Sequence, residues 1–120
     1  MSKQTGAYNK ARQELSLPVL EQCCDHAFEG LIQLAGLTPE RRPAFFFDGT
    51  TERMPHSQEL VAAYPPASNQ HGVSHWPVLR LLVAHDLYTG LALRPHWGRV
   101  NGSQAVSEQG LLEEAIEHLP

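Results

Sequence analysis

One short segment constrains the fold of this chain most: an apolar run that ends in a single carboxylate and a glycine. Residues 44–51 read AFFFDGTT. Four nonpolar residues in a row, bounded by turn-forming residues, are typical of a short β-strand covered on both faces. Asp48 is then expected at the exit of that strand. An ionised carboxylate there is costly to bury unless hydrogen bonds or a metal ion compensate. The alternative, which residue chemistry alone favours, is that Asp48 caps the turn formed by Gly49 and Thr50.

Two other segments have the spacing of an amphipathic helix. Apolar residues recur every three or four positions from Leu17 to Leu37, where Gly36 offers a stop, and again from Gln104 to Leu119. Ser103 is predicted to be the N-cap of the second helix. Residues 1–16 are polar and have no clear period, so they are predicted to form a flexible N-terminal tail.

Two strand-like runs lie between these helices. Residues 78–85 and 91–94 are predominantly apolar, and residues 86–90 between them read as a hairpin connection. Residues 52–77 are rich in Pro, His, Ser, Asn and Gln and are predicted to form a long loop with internal turns. The sequence therefore predicts an α+β fold with an N-terminal helix, three mainly antiparallel strands and a C-terminal helix, in one domain that spans residues 17–120.

Composition argues against several classes of protein. The chain of 120 residues has 9 Lys and Arg against 13 Asp and Glu, a net charge of −4, which gives no reason to expect tight nucleic-acid binding by the whole surface. Cys23 and Cys24 are adjacent, which excludes a disulfide framework and a zinc site of spaced cysteine pairs and favours the reducing cytoplasm. No signal peptide and no apolar run of about 20 residues is present, so a soluble protein without a membrane partner is expected.

Seven histidines raise the possibility of a metal site. His71, His75 and His85 with Asp86 are the closest group in sequence, but their spacing fits no established ligand pattern. Surface imidazoles are the simpler interpretation, and Asp86 is better explained as a hairpin residue.

The two tryptophans raise a second possibility. Trp76 and Trp97 flank the pair of strands and could stack on nucleic-acid bases, with Arg80, Arg94 and Arg99 contacting phosphates. Aromatic residues at strand ends more often close a hydrophobic core, which is the favoured alternative.

A longer pattern gives Asp48 a more specific meaning. FFDGTT at residues 46–51, with RMP at 53–55, resembles the first catalytic segment of insertion-sequence transposases of the DDE class. The resemblance continues in order through YPP, SNQHG, HWPVLR, AHD, TGLA and QAVSEQ, and covers about residues 40–120.

The resemblance implies part of an RNase H-like domain. Such a domain has a mixed sheet whose first strand carries the first acidic ligand, two more antiparallel strands, and a helix leading to a fourth strand. In these enzymes three carboxylates hold two divalent ions, usually Mg²⁺, for DNA strand cleavage and transfer. Asp48 matches the first of the three, as a catalytic residue and metal ligand. The second Asp and the Glu are expected beyond Pro120, so the resemblance implies an N-terminal fragment that is inactive alone and binds DNA weakly or not at all.

Two other functions stay open. An unpaired strand is a template for another chain, so the protein is alternatively a non-catalytic module that binds or inhibits a full-length transposase. A small metal-binding or hydrolytic domain that uses the histidines is the third hypothesis.

Overall fold

The computed structural model describes residues 3–36 and 44–120, which divide into two units, Met1–Arg41 and Arg42–Pro120. The first unit contains α1 (Lys3–Glu14) and α2 (Leu17–Leu34). Helix α1 lies in the segment that its polarity and lack of period had assigned to a tail. None of the described helices combines the length and apolar content that crossing a membrane requires.

Helix α2 follows its predicted course closely. It begins at Leu17, with a proline in its first turn, where a missing N–H costs little. It ends at Leu34, and Gly36 has the positive φ of 62° that ends many helices, so the predicted stop is confirmed. Leu37, the predicted last residue, and the turn that follows it lie outside the described residues.

The second unit is built on a three-stranded antiparallel sheet. Its strands are β1 (Phe45–Arg53), β4 (Val78–Asp86) and β5 (His96–Arg99), with β4 in the centre. A helix, α4 (Glu108–Glu117), contacts β4 and β5. The predicted α+β arrangement of an N-terminal helix, three antiparallel strands and a C-terminal helix is confirmed.

The first strand is longer and less covered than predicted. It continues through Asp48 and Gly49 to Arg53, so Asp48 lies in the middle of the strand and not at its exit. Phe47 is half-buried whereas Phe46 is 44% exposed, so only one face of β1 packs on the core. A short apolar run indicates a strand but does not show how many of its faces are covered.

The third strand lies further along the chain than predicted. Residues 91–94 were expected to form it, but only an isolated bridge joins Ala92 to His85, and the regular ladder begins at His96. Pro95 separates the two parts. Because proline has no N–H to donate, it interrupts a regular ladder.

The predicted loop at residues 52–77 contains three short elements. Helix α3 (Gln58–Ala63) begins at its N-cap Ser57, whose Oγ accepts a hydrogen bond from Leu60 N at 3.1 Å. The strands β2 (Ser68–Asn69) and β3 (Gly72–Val73) form a small hairpin that is separate from the main sheet.

The core of the second unit lies between the sheet and α4. Helix α4 starts later than predicted, at an N-cap Ser107 whose Oγ accepts from Gly110 N at 3.0 Å. Ser103 is not the cap because the chain before α4 is held along β5, where Val106 N donates to Arg99 O at 2.9 Å. The core consists of buried Leu82, Leu111 and Ala115, with Phe47, Val106 and Leu112 packed against them.

Candidate functional site

Asp48 is an exposed carboxylate at the centre of β1. It pairs with Val83 of β4. Successive side chains of a strand point to opposite faces, and Phe47 packs on the core, so Asp48 points away from the face that α4 covers. Among the described residues no donor or cation contacts its carboxylate. The expected burial cost therefore does not arise, and Asp48 does not cap a turn because Gly49 and Thr50 continue the strand.

The outer edge of β1 is open in the part of the chain that the structure describes. Met54 N donates to Pro77 O at 2.9 Å, and Ala44 O accepts from Leu87 N at 2.8 Å. Both bonds involve even-numbered residues. Because backbone polar groups alternate in direction along a strand, the even-numbered residues of β1 bond to β4. The odd-numbered residues, Gly49 and Thr51 among them, direct N–H and C=O outwards beside Asp48. This edge can accept another strand.

A different group of charged residues occupies the opposite face of the sheet. A Cβ on Gly49 would lie 2.8 Å from Glu108 Cδ, and Glu108 Oε2 lies 3.7 Å from Arg80 Nη1. Arg80 Nε is buried and has no acceptor among the described residues. Since Gly49 and Asp48 face opposite sides of β1, Glu108 and Asp48 cannot bind one metal ion without rearrangement of the sheet.

The predicted histidine group is not formed. His75 precedes β4 and His85 lies near its end, and the seven residue steps from Val78 to His85 alone extend roughly 24 Å at about 3.4 Å per residue. His85 stacks on Phe46, with ring centroids 4.8 Å apart, while His71 lies in the β2–β3 hairpin. No group of three or more His, Cys, Asp or Glu in residues 3–36 and 44–120 is arranged to hold a metal ion.

Asp86 has the hairpin role that the sequence favoured. It is the one buried charged residue of the described chain, 3% exposed, and its Oδ2 accepts hydrogen bonds from Thr89 N at 2.8 Å and Thr89 Oγ1 at 2.6 Å. These bonds satisfy the carboxylate within the turn after β4. Asp86 is thus a structural residue in this arrangement.

The tryptophans differ from each other in exposure. Trp97 is half-buried in β5 but pairs with Leu81, so it lies on the face of the sheet opposite the core residue Leu82, whereas Trp76 is 43% exposed. Two of the predicted phosphate-binding arginines have intramolecular partners. Arg80 lies beside Glu108, and Arg99 Nη1 donates to Gln104 Oε1 at 2.7 Å. Arg94 also has an intramolecular partner.

Three exposed aromatic residues form a cluster that sequence reasoning missed. The rings of His56 and His75 stack with centroids 4.2 Å apart and planes 7° from parallel. Trp76 meets His75 edge to face, with centroids 4.6 Å apart. We call His56, His75 and Trp76 the aromatic cluster. Only the pairing of β1 with β4 brings His56 to His75, so spacing along the chain contains no signal for it.

No protein-family model matches this chain, and no curated protein and no solved structure matches it. The family resemblance at residues 40–120 therefore stays a prediction that rests on the residues quoted for it.

Proposed function

We propose that this chain is part of a DDE-type transposase, in which Asp48 is a Mg²⁺ ligand for DNA strand cleavage and transfer. The observation that carries the proposal is the position of Asp48, an exposed carboxylate with no described partner at the centre of an edge strand. A strand holds its side chains more rigidly than a loop, which suits a metal ligand. The order of β1, β4, β5 and α4 agrees with the order that the resemblance implies.

The chemistry of Asp48 fits one ligand of a Mg²⁺ ion. Mg²⁺ binds oxygen, keeps several waters and uses one or two carboxylates together with substrate phosphates. Asp48 offers its oxygens without breaking an existing bond. Glu52 shares its face of β1 but lies four residues away, roughly 14 Å at about 3.4 Å per residue. We therefore propose that carboxylates from outside the described residues complete the site, where the ion stabilises charge on the phosphate oxygens.

Mn²⁺, a paramagnetic substitute for Mg²⁺, tests this assignment in the full chain. In amide NMR spectra, a bound Mn²⁺ ion broadens the signals of nearby residues. We expect broadening centred on Asp48 and its partner Val83, and we expect Asp48→Asn to remove it. Glu52→Gln, a charge-matched control on the same strand face, should leave the broadening in place. Broadening that is centred elsewhere, or that survives in Asp48→Asn, rejects Asp48 as the ligand.

One structural observation favours the alternative function, a non-catalytic module that binds a full-length transposase. The open edge of β1 has outward N–H and C=O groups along its nine residues, a surface that another strand can extend. Thr51→Pro removes one outward N–H and leaves the bonds to β4 in place, whereas Thr51→Ala retains that N–H. If the module binds through this edge, an intact DDE transposase co-purifies with Thr51→Ala and not with Thr51→Pro. Equal recovery with both variants rejects binding through the edge.

A further inference from the structure

We propose that the aromatic cluster binds an unpaired DNA base by stacking. The inference rests on the proposed function for the choice of DNA as ligand, but it uses residues separate from Asp48. Every nucleobase has a π-face, and stacking on an aromatic side chain is a general way to bind single-stranded nucleic acid. An exposed tryptophan beside two stacked imidazoles offers such a surface.

The side chains of the aromatic cluster are more exposed than those of a hydrophobic core. Trp76 is 43% exposed, and His56 and His75 are also exposed. Trp76 meets His75 with the ring planes 86° apart, and more than two-fifths of the Trp76 surface stays accessible for a further contact. The parallel imidazoles form a second flat surface next to it. The ring contacts of the described chain join these three residues to one another, and none of the three is among its buried residues.

The backbone beneath the cluster is held in place before any ligand binds. Met54 N donates to Pro77 O at 2.9 Å, which extends the pairing of β1 and β4 by one residue to the base of the cluster. Pro77, the neighbour of Trp76, is fully buried. On the other side, Ser57 caps α3 directly after His56. A surface that is already ordered loses little conformational entropy on binding.

One cation precedes the cluster in the sequence. Arg53 is the last residue of β1, three residues before His56, and is exposed. Its guanidinium has no ion pair or hydrogen bond within the described chain, so it can contact a phosphate. From Asp48 to Arg53 the strand rises roughly 17 Å at about 3.4 Å per residue, the length of about five nucleotides of one B-DNA strand. A DNA strand of about five nucleotides spans this length, but Arg53 has the side-chain direction of Gly49, opposite to that of Asp48, so a strand that contacts both passes around the end of β1.

The charge of the protein predicts how such binding depends on salt. The net charge is −4, so phosphate attraction contributes little, and stacking has to provide most of the affinity. With one phosphate neutralised by Arg53, the slope of log K against log salt is about −0.7 for a single strand. Arg53→Gln should bring this slope close to zero.

Tryptophan fluorescence tests the proposal directly because the chain has 2 tryptophans. Trp97→Phe leaves Trp76 as the only reporter. The full-length variant is titrated with an oligothymidylate and with an abasic oligonucleotide of the same length, which has the same phosphates and no bases. We expect quenching of Trp76 by the oligothymidylate and binding roughly 5- to 150-fold weaker for the abasic strand, the range expected for one stacked base. Equal affinities for the two strands overturn the proposal.

Variants of the cluster provide the second part of the test, with binding to a labelled oligothymidylate measured by fluorescence anisotropy. Trp76→Ala and His56→Ala should each weaken binding at least about 5-fold, and Trp76→Phe should restore most of it, because a phenyl ring also stacks. His118→Ala is the control, an exposed histidine at the C-cap of α4 whose Nδ1 lies 2.9 Å from Glu114 O. Binding that is unchanged in both His56→Ala and Trp76→Ala overturns the proposal.

The failure of this inference can be distinguished from failure of the proposed function. If the wild-type chain binds no oligonucleotide but Mn²⁺ still broadens the signals around Asp48, the aromatic cluster is rejected as a base-binding site and Asp48 is retained as a metal ligand. If oligonucleotide binding depends on the bases but Mn²⁺ does not bind at Asp48, the aromatic cluster is retained and the transposase assignment is rejected.

Discussion

Gly49 and Glu108 approach so closely that a methyl group on Gly49 would lie 2.8 Å from Glu108 Cδ and 2.9 Å from Glu108 Oε1. The same carboxylate lies 3.7 Å from Arg80 Nη1. The absence of a side chain at position 49 therefore lets the first residue of α4 lie against the backbone of β1, on the face opposite Asp48. This contact joins the helix to the strand that carries the candidate ligand.

Gly49→Ala should have an effect that depends on Glu108. Gly49 has no positive φ, so alanine fits the backbone and, without a clash, gains about 0.4–1 kcal/mol by restricting the unfolded chain. In the wild-type background the methyl group displaces the Glu108 carboxylate, and that gain is offset. A double-mutant cycle with Glu108→Ala, measured by urea denaturation, should give a coupling of about 0.5–1 kcal/mol. The same effect of Gly49→Ala in both backgrounds contradicts the contact.

Asp48→Asn should leave stability unchanged. The carboxylate is exposed and has no partner among the described residues, and substitutions at such surface positions usually change the free energy of unfolding by less than about 0.5 kcal/mol. Urea denaturation without divalent ions checks this. A loss of more than about 1 kcal/mol would mean that Asp48 has a structural role, and the Mn²⁺ experiment would then need a different variant.

Leu111→Ala should destabilise the second unit strongly. Leu111 is 1% exposed and packs against Leu82 and Ala115, so truncation leaves a cavity and costs about 2–5 kcal/mol. Ile116→Ala on the same helix is the matched control. Ile116 is 51% exposed, and its truncation should cost less than about 1 kcal/mol. Similar losses for the two variants, measured by thermal or urea unfolding, contradict the placement of α4.

The parts of the fold that follow from local patterns were predictable. Helical spacing identified α2 and α4, and apolar runs identified β1 and β4, because each pattern matches the period of one secondary structure. The boundaries were less accurate. Whether a strand ends at Asp48 or continues to Arg53 depends on its partner: β4 is long enough to pair with all nine residues of β1. The sequence pattern of one strand does not indicate how long the strand that pairs with it is.

The candidate site was predictable in part. Asp48 was identified from its position after an apolar run and from the family resemblance, but its exposure follows from the uncovered face of the sheet. The aromatic cluster was missed because His56 and His75 are far apart in sequence and meet only when β1 pairs with β4. Conversely, His75 and His85 are close in sequence, and β4 separates them.

Asp86→Ala should cost stability because it removes an acceptor from two bonds. The Oδ2 atom accepts from both the N–H and the hydroxyl of Thr89, and hydrogen bonds to a charged group contribute about 1.5–3 kcal/mol. We expect a loss of about 2–3 kcal/mol in urea denaturation. Thr89→Val keeps the bond from Thr89 N but removes both bonds of the hydroxyl, the one it donates to Asp86 Oδ2 and the one it accepts from Leu91 N at 3.2 Å, so it should also lower the free energy of unfolding. If Asp86→Ala costs nothing, the turn does not depend on these bonds.

Ser107→Ala and Ser103→Ala distinguish the observed start of α4 from the one that helical spacing predicts. Ser107 Oγ accepts from Gly110 N at 3.0 Å, and loss of such a cap costs about 1 kcal/mol. Ser103 lies in a turn before Ala105, which forms a bridge with Arg99 of β5, so its hydroxyl caps no helix. Urea denaturation should give a loss of about 1 kcal/mol for Ser107→Ala and almost none for Ser103→Ala. The reverse order would place the start of α4 near residue 104 and would release residues 104–106 from β5. The approach of Glu108 to Gly49 would then have to change as well, because Glu108 would no longer be the first residue of the helix.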